Sequence, residues 1–374
     1  MLQKRGHEVE IFTSSAENEK IEHDGLIVHR VNHKTYLNTF WARKLQKHLL
    51  HTLDVLFRGY YLKKQFTGEH RKKPFDIVQA SSYEAPALFL MKNSSVPIVT
   101  RMSSFSPLWR GAYGFKCNFD NALADWLEMY QLQKSHRVYA PSYCLSKALS
   151  AVTPVQVDVL RPPAILPGAF HYDDSVYRKI AAAKYFLFFG SLSRLKGVEF
   201  IWRNLTNFFK SNAEASFVFI GKYSLPPLTD ALRAYEDRII HFPAMSHAQL
   251  FPIIENAWAV VLPSIIDNLP NACLESMNLG KVVIGTRGAS FDEIIEDGRN
   301  GFLVNYGDDT ALAALLTRIA GLSAEQRSLI GREAKKTITG KCNADVQIEL
   351  LENYFETARN TWKAAANGKP QHYT

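Results

Sequence analysis

Short β-rich apolar runs alternate with longer helix-spaced segments along most of the chain, and this alternation admits few folds. Strands separated by helices pair in parallel and build layered α/β domains. The runs that read as strands cover residues 8–13, 26–30, 76–80, 97–101, 137–140 and 156–160 in the first half. In the second half they cover 185–190, 216–221, 238–242, 257–262, 281–286 and 302–304. Between the two sets lies Arg161-Pro162-Pro163-Ala164-Ile165-Leu166-Pro167-Gly168, where three prolines and a glycine forbid regular structure. This stretch reads as a linker. It predicts a first domain over residues 1–163 and a second over 164–344. A closing helix, periodic from Asp345 to about Ala366, occupies 345–374 and is expected to pack back towards the first domain. A length of 374 residues suits two domains.

A doubly wound domain normally opens with a strand, a glycine-rich turn and a helix. Here Leu2 to Arg5 reads as the last turn of a helix and Gly6 as its stop, so the first domain is expected to lack its first strand. No GxGxxG occurs, which counts against a nicotinamide or flavin enzyme. The hydrophobic fraction of 47% excludes a disordered chain. No apolar run approaches the roughly 20 residues of a membrane-spanning helix, and Met1 to Val9 holds no apolar signal core. Cys117, Cys144, Cys273 and Cys342 form no CxxC pair, which argues against a disulfide framework or zinc site and fits a reducing cytoplasm.

Two stretches carry chemistry. The first is Pro263-Ser264-Ile265-Ile266-Asp267-Asn268-Leu269-Pro270-Asn271-Ala272-Cys273-Leu274-Glu275. Pro270 suits the first turn of a helix that stops at Gly280. The amides of Asn271, Ala272 and Cys273 would then face whatever sits at the helix N-terminus, a ready phosphate site. Asp267 and Glu275, eight apart, would bracket that phosphate, one accepting from a sugar hydroxyl and the other from a ribose diol. Two acids alone are equally what a loop residue and a surface helix acid would supply. The second stretch is Gly190-Ser191-Leu192-Ser193-Arg194-Leu195-Lys196-Gly197, a loop between a strand and a helix beginning near Val198. Such loops are where α/β sheets bind ligands, and a lysine there can neutralise a leaving phosphate. Two solvated surface cations would give the same pattern.

Taken together with Gly6-His7-Glu8-Val9, Gly280, Thr286-Arg287-Gly288, Glu293-Ile294-Ile295 and Asp297-Gly298-Arg299-Asn300-Gly301, these stretches resemble the retaining, nucleotide-sugar-dependent glycosyltransferases of family 4, the glycosyl transferases group 1. The second half is covered almost throughout and the first half loosely. The resemblance implies the GT-B fold, two Rossmann-like doubly wound domains facing a cleft, with the donor bound mainly by the C-terminal one. It implies that Lys196 contacts the donor diphosphate, Glu275 the ribose and Asp267 the transferred sugar, with Gly190, Ser191, Asn271, Ala272 and Cys273 completing the donor site. The sequence departs from the family in three places. Asp267-Asn268 stands where Glu-Gly is usual, and Ser191 stands where the loop glycine is usually followed by Arg, with Arg194 a substitute phosphate cation. Ser103 stands about where many members carry His. Arg101, beside it, either contacts acceptor or donor or pairs a carboxylate structurally; His7 and His241 read as structural. The expected activity is transfer of a sugar from a nucleotide donor to a glycan or lipid-linked acceptor in cell-surface glycan assembly. The alternative is an inactive or truncated sugar-nucleotide-binding protein of the same fold. No DxD-type acid pair or His/Cys spacing suited to a metal stands out, so no metal or other cofactor is expected.

The charge is unevenly placed. From Arg30 to Lys73 eleven Lys/Arg face two acids, Asp54 and Glu69, while the whole chain carries only +8. Trp41, Leu45, Leu49, Leu53 and Leu56 are expected to share one helical stripe flanked by Arg43, Lys44 and Lys47. That segment is either an amphipathic core helix with a solvated basic face or a dock for an anionic membrane, at the inner face of the cell membrane. No nucleic-acid partner is expected.

Overall fold

The computed structural model describes residues 1–34, 40–114, 116–164, 171–222 and 225–367; of residues 40–48, 113 and 366–367 it describes the backbone alone. Residues 165–168 of the proline-rich linker, and the side chains of Trp41, Arg43, Lys44, Leu45 and Lys47, lie outside the described residues. The chain divides into two units, Met1–Leu160 with Gln347–Thr374, and Arg161–Val346.

The first unit opens on a 3-10 turn, Leu2–Arg5, closed by Gly6 in the left-handed region at φ 90°. Strands β1 (Glu10–Ser15), β2 (Glu19–His23) and β3 (Leu26–Asn32) form one sheet in the order β1-β3-β2, with β3 parallel to β1 and antiparallel to β2. The sequence reading missed β2, because a solvated edge strand with one apolar residue, Ile21, shows no hydrophobic run. Its signal is the turn: Asp24 and Gly25, at φ 51° and 73°, are the two-residue hairpin pair. Helix α1 (Phe40–Lys72) follows. Strands β4 (Val78–Ser81), β5 (Ile98–Arg101), β6 (Arg137–Ala140) and β7 (Val157–Val159) make a separate, wholly parallel sheet. Between them lie α2 (Ser106–Tyr113), α3 (Phe119–Lys134) and α4 (Tyr143–Ser150).

Helix α1 corrects one expectation. Leu49 has non-helical dihedrals (φ −137°, ψ 30°), so the stripe expected through Leu45, Leu49 and Leu53 is interrupted. Beyond the kink the buried line is Thr52, Val55, Gly59, Leu62 and Phe66. The kink frees backbone donors, and Asp120 in the first turn of α3 satisfies two of them, accepting from His51 N at 2.9 Å and Thr52 N at 2.8 Å.

The second unit holds β8 (Lys184–Phe189), α5 (Val198–Ser211), β9 (Ala215–Ile220), α6 (Asp230–Arg233), β10 (Ile239–Phe242), α7 (His247–Asn256), β11 (Ala259–Leu262), α8 (Asn271–Asn278), β12 (Val283–Thr286), β13 (Phe302–Val304), α9 (Asp309–Ala320) and α10 (Ala324–Lys341). The six strands form one parallel sheet in the order β10-β9-β8-β11-β12-β13. Strand order therefore reverses between β8 and β11, and the crevice at their carboxyl ends is the topological switch point where doubly wound sheets bind ligands. The strands read as unbroken apolar runs, such as Tyr185-Phe186-Leu187-Phe188-Phe189, because helices cover both faces. Finally α11 (Ala344–Asn367) returns to the first unit, where Tyr354 and Ala358 pack on Val99 and Tyr139, and the Tyr354 hydroxyl donates to the Val138 carbonyl at 3.1 Å.

Candidate donor site at the switch point

Two loops meet where the strand order reverses, and the backbone brings them together. After β8 the chain turns at Gly190 (φ 135°), and a Cβ on Gly221 would lie 1.8 Å from the Gly190 carbonyl oxygen. Leu192 and Leu195 are buried and anchor the loop, Arg194–Lys196 forms a 3-10 turn, and Gly197 closes it at φ 78°. A Cβ on Gly197 would lie 1.9 Å from the Pro263 carbonyl oxygen, so only glycine lets this loop touch the one after β11. The Ile265 N–H donates to the Leu195 carbonyl at 2.8 Å and fastens the two loops together.

That fastening pairs Lys196 with Asp267. The ammonium nitrogen lies 2.6 Å from Asp267 Oδ2, which also accepts from the Ser264 hydroxyl at 2.9 Å, while Oδ1 accepts from the Asn268 N–H at 2.9 Å. The Asp267 side chain is 7% exposed and Lys196 32%. Leu269 follows at φ 54°, a strained value for a branched residue, and its N–H donates to the Ser290 hydroxyl at 2.8 Å.

Helix α8 starts one residue after Pro270. The amides of Asn271 and Ala272 are the open donors of its first turn, but the third expected donor is not: the Cys273 N–H bonds the Pro270 carbonyl at 2.9 Å, as does that of Leu274 at 3.2 Å. Cys273 is buried, and burial, with the Asp267 charge second, pushes its thiol well up. It is a packing residue. Glu275, one turn on, faces His247 at the start of α7, 3.6 Å from carboxylate to imidazole. Burial raises the Glu275 carboxyl, and His247 opposes the shift. The sequence reading passed over His247; its signal is position, at the start of the helix that follows the carboxyl end of β10. Beside these loops a cavity of about 350 Å³ opens at the carboxyl ends of β8 and β9, lined in part by Gly190, Ser191, Gly221, Lys222, Met245 and Leu250.

Arg194 does not join this group. It is exposed and lies 3.8 Å from Glu199; with three residues per turn, side chains two positions apart in the 3-10 turn leave it in different directions.

The two first-unit candidates lie together at the end of β5. Arg101 is half-buried there, beside Tyr139, whose phenol burial pushes up to about 12 with Arg101 opposing. Ser103 accepts from the Ser81 hydroxyl at 3.0 Å, and its N–H donates to Ser82 Oγ at 3.1 Å. The sequence reading missed Glu128, deep in α3 and 5% exposed. Its carboxylate accepts from the Glu84 N–H at 2.7 Å and from the Ser106 hydroxyl at 2.9 and 3.1 Å, and burial pushes it up to about 7. One turn on, Gln131 accepts from the Ala87 N–H and donates to the Ser81 carbonyl, both at 2.8 Å. A related chain runs from Ser14 Oγ to His33 Nδ1 (2.7 Å) and from His33 Nε2 to Asp54 (2.8 Å); Arg58 then pairs with both Asp54 and Glu84. In the first unit, ligand atoms of Glu10, His29 and Glu69 fall within 4.8 Å of one another, a grouping made by the fold and marked by no sequence spacing. These groups already have partners, His29 on Glu10 at 2.6 Å and Lys72 on Glu69 at 2.9 Å. Among the described residues no helix is long and apolar enough to cross a membrane.

Comparison with known proteins adds two family matches, "Glycosyltransferase Family 4" over residues 1–163 and "Glycosyl transferases group 1" over residues 183–321. Among solved structures, the chain is similar to sucrose-phosphate synthase from Thermosynechococcus elongatus, with a TM-score of 0.77 at 16% identity over 95% of this chain and 90% of that one. It is similar to an α,α-trehalose-phosphate synthase (UDP-forming) from Burkholderia vietnamiensis, with a TM-score of 0.70 at 12% identity over 93% and 94%. A third is Anabaena HepE in complex with UDP-glucose, with a TM-score of 0.64 at 13% identity over 93% and 99%. At such identities the likeness speaks for the fold. No curated protein matches the chain in sequence.

Proposed function

Because this chain belongs to the group 1 glycosyltransferases and has the GT-B fold, we propose that its second unit holds a nucleoside-diphosphate sugar and that the sugar passes, with retention, to a glycan or lipid-linked acceptor. The observation that carries the reading is the meeting of Lys196 with Asp267, in the loop that leads into α8, at the switch point of a doubly wound sheet. Breaking the bond between the anomeric carbon and the phosphate oxygen leaves negative charge on the diphosphate. Lys196 and the amides of Asn271 and Ala272 can stabilise that charge. The acceptor oxygen bonds the anomeric carbon, and the leaving phosphate takes the acceptor proton, so no enzymic nucleophile is needed. Glu275 accepts from the ribose diol, and the cavity beside Gly190 and Met245 receives the base. Arg101 and Ser103 belong to the acceptor side. A relative solved with UDP-glucose supports UDP-glucose as the first donor to try.

The experiment is turnover of nucleotide sugars by wild type, Lys196→Ala and Glu275→Ala. Each substitution should cut turnover about tenfold or more, roughly 1.4 kcal/mol, without unfolding the protein. Wild-type rates in both would remove the donor site from these loops. The charge on Lys196 should suffice without a divalent ion, so activity should survive excess EDTA; a complete, Mg²⁺-reversible loss contradicts this. Nucleotide binding with no transfer to any acceptor, or to water, would favour the alternative of an inactive binding protein.

We also propose that the basic segment docks on an anionic membrane and brings the enzyme to its acceptor. Beyond the kink in α1, Leu50 is 53% and Tyr60 50% exposed, with Lys64, Arg71 and Lys72 exposed on the same helix. Aromatic and apolar groups among cations suit the headgroup region. Binding to phosphatidylglycerol vesicles should fall with salt and fall again when Lys63 and Lys64 become Glu. Equal recovery in the supernatant with anionic and neutral vesicles rejects docking.

A further inference from the structure

His29 and His33 are both buried, at 1% exposure, and each is met by side chains from β1 and from α1. They are met differently. His33 has one partner on each ring nitrogen, Ser14 Oγ at 2.7 Å and Asp54 at 2.8 Å, and Arg58 pairs with Asp54 in turn. That is a closed structural chain. His29 meets two carboxylates. Its Nε2 lies 2.6 Å from Glu10 Oε2, and Glu69 brings an oxygen into the same 4.8 Å group. A neutral imidazole has one N–H to give, so one carboxylate of the two has no donor from the ring. Among the described residues, the side-chain partner of Glu69 is Lys72, which is 71% exposed. An exposed ammonium on one bond contributes little and can be given up.

Strand register and helix period build the group. Glu10 and Phe12 lie on one face of β1, and Phe12 stands opposite His29 in the parallel pairing with β3. Gln65 and Glu69, four apart, share a face of α1. The Phe12 ring stacks on the imidazole at 4.5 Å and 6°, and Gln65 faces its Nδ1 at 3.4 Å. These two contacts fix the ring with Nε2 towards Glu10. The side chains of Glu10 and Glu69 are 18% and 16% exposed, which leaves a way in from solvent.

We propose that Glu10, His29 and Glu69 bind a divalent transition-metal ion, zinc in preference to magnesium, which clamps β1, β3 and α1 together. One imidazole nitrogen and two carboxylate oxygens form a donor set that zinc accepts, with water as the fourth ligand. Bonds of about 2.0–2.2 Å place neighbouring ligand atoms roughly 3.4 Å apart, so side-chain shifts of about 1 Å bring this group onto an ion. The ring proton moves from Nε2 to Nδ1, where the Gln65 amide turns its oxygen to accept it. Nε2 then gives its lone pair to the ion, the two carboxylates balance its charge, and Lys72 turns to solvent. Glu10 opens β1, so the ion sits at the opposite end of the strand from Ser14 and Ser15 and takes no part in sugar transfer.

The experiment is titration of the EDTA-stripped full chain with Zn²⁺, read by competition with a chromophoric zinc chelator and by melting temperature. Wild type should take up one equivalent at micromolar free zinc, and excess Mg²⁺ should not displace it. Zinc at about 100 times its dissociation constant should raise the melting temperature by several degrees. Glu10→Gln and Glu69→Gln should each weaken zinc about tenfold or more and remove that rise at the same zinc concentration. Both replace a partly exposed carboxylate by its isostere, so if one variant fails to fold the other carries the test. Lys72→Gln should bind zinc as tightly as wild type or tighter. No uptake by wild type even at millimolar zinc overturns the proposal. So does an equivalent retained at wild-type affinity in Glu69→Gln, which would place the ion on other histidines, or uptake by wild type with no rise in melting temperature.

Discussion

The two units position their polar groups by different means. In the second, six strands share one sheet over a continuous apolar core that includes Phe186, Phe217 and Ile284. The switch-point loops then approach backbone to backbone through Gly190, Gly197 and Gly221, and the side chains follow. In the first, seven strands among the described residues divide between two sheets, and the buried apolar residues fall into several small clusters. The loops after β4 and β5 are held by buried side chains instead: Glu128 and Gln131 from α3 take backbone donors at Glu84 and Ala87. Glu84 and Ala85 sit at φ 57° and 42°, strained values that these bonds help maintain. Backbone contact tolerates no added atom, whereas a buried carboxylate depends on its ionisation. Substitutions should therefore separate the units.

The largest effect should come from one methyl group. Gly197→Ala places a Cβ 1.9 Å from the Pro263 carbonyl oxygen, at a φ of 78° that disfavours alanine. Neither loop can move without losing the other, so the cost should exceed about 4 kcal/mol. For a domain this size that lowers the melting temperature by roughly 10 °C and abolishes donor binding. The matched change in the first unit is Gly59→Ala, where the new Cβ meets the Phe89 ring at 3.2 Å and a small ring shift absorbs it. Alanine's helix preference, about 1 kcal/mol over glycine, offsets that contact, so the melt should be nearly unchanged. Equal losses in the two variants would break the comparison.

The intermediate effect is electrostatic and belongs to the first unit. Burial raises Glu128 from its ordinary 4.5 to about 7, with Asp125 adding to the rise and the Ser106 hydroxyl and Arg110 opposing it. Glu84 meets this carboxylate through its backbone N–H, while its own side chain is held by Arg58 and lies 4.0 Å from His51. A raised folded-state value means that the native carboxyl binds its proton more tightly than the unfolded chain does. The stability so gained is present below about pH 4.5 and is lost as pH rises to about 7. Glu128→Gln keeps an acceptor for the Glu84 N–H and removes the titration. Relative to wild type it should gain stability across that window, on the order of 3 kcal/mol by pH 8. Denaturant unfolding of both proteins at pH 5 and pH 8 measures this; a difference that does not grow with pH contradicts it.

How much could be read in the sequence follows the same division. Strand β8, expected at 185–190, lies at Lys184–Phe189, and α5 begins at Val198 as expected. Parallel strands covered on both faces leave continuous apolar runs, and Gly and Pro mark the loops between them. Lys196 and Asp267 could each be singled out, but not their pairing, because 71 residues separate them and only sheet order brings their loops together. Glu128 could not be found: an acid inside a helix reads as solvated until its neighbours are known. Strand β1 was placed two residues early, since its start is set by pairing of Glu10 with Ile27 rather than by local preference. The stripe in α1 is broken at Leu49, next to the residues whose amides Asp120 accepts from, a contact across 69 residues with no local trace.

The smallest effect should be the same in both units, because it depends on one helical turn alone. Asn118 caps α3 by accepting from the Asn121 N–H at 2.8 Å. Ser323 caps α10 by accepting from the Gln326 N–H at 3.1 Å, and Gln326 returns a bond to the Ser323 N–H at 2.8 Å. Removing either cap by alanine exposes backbone donors to water and should cost about 1 kcal/mol. The two cases would differ only if local damage spread. The turn that Asn118 caps contains Asp120, which holds the bend of α1, and further along α3 lie Glu128 and Gln131. If Asn118→Ala costs several times more than Ser323→Ala in denaturant unfolding, α3 transmits its first turn to the loops after β4 and β5. Equal costs would place the rigidity of those loops in Glu128 and Gln131 themselves, which remain anchored by Ser106, Ala87 and Ser81 after the cap is gone.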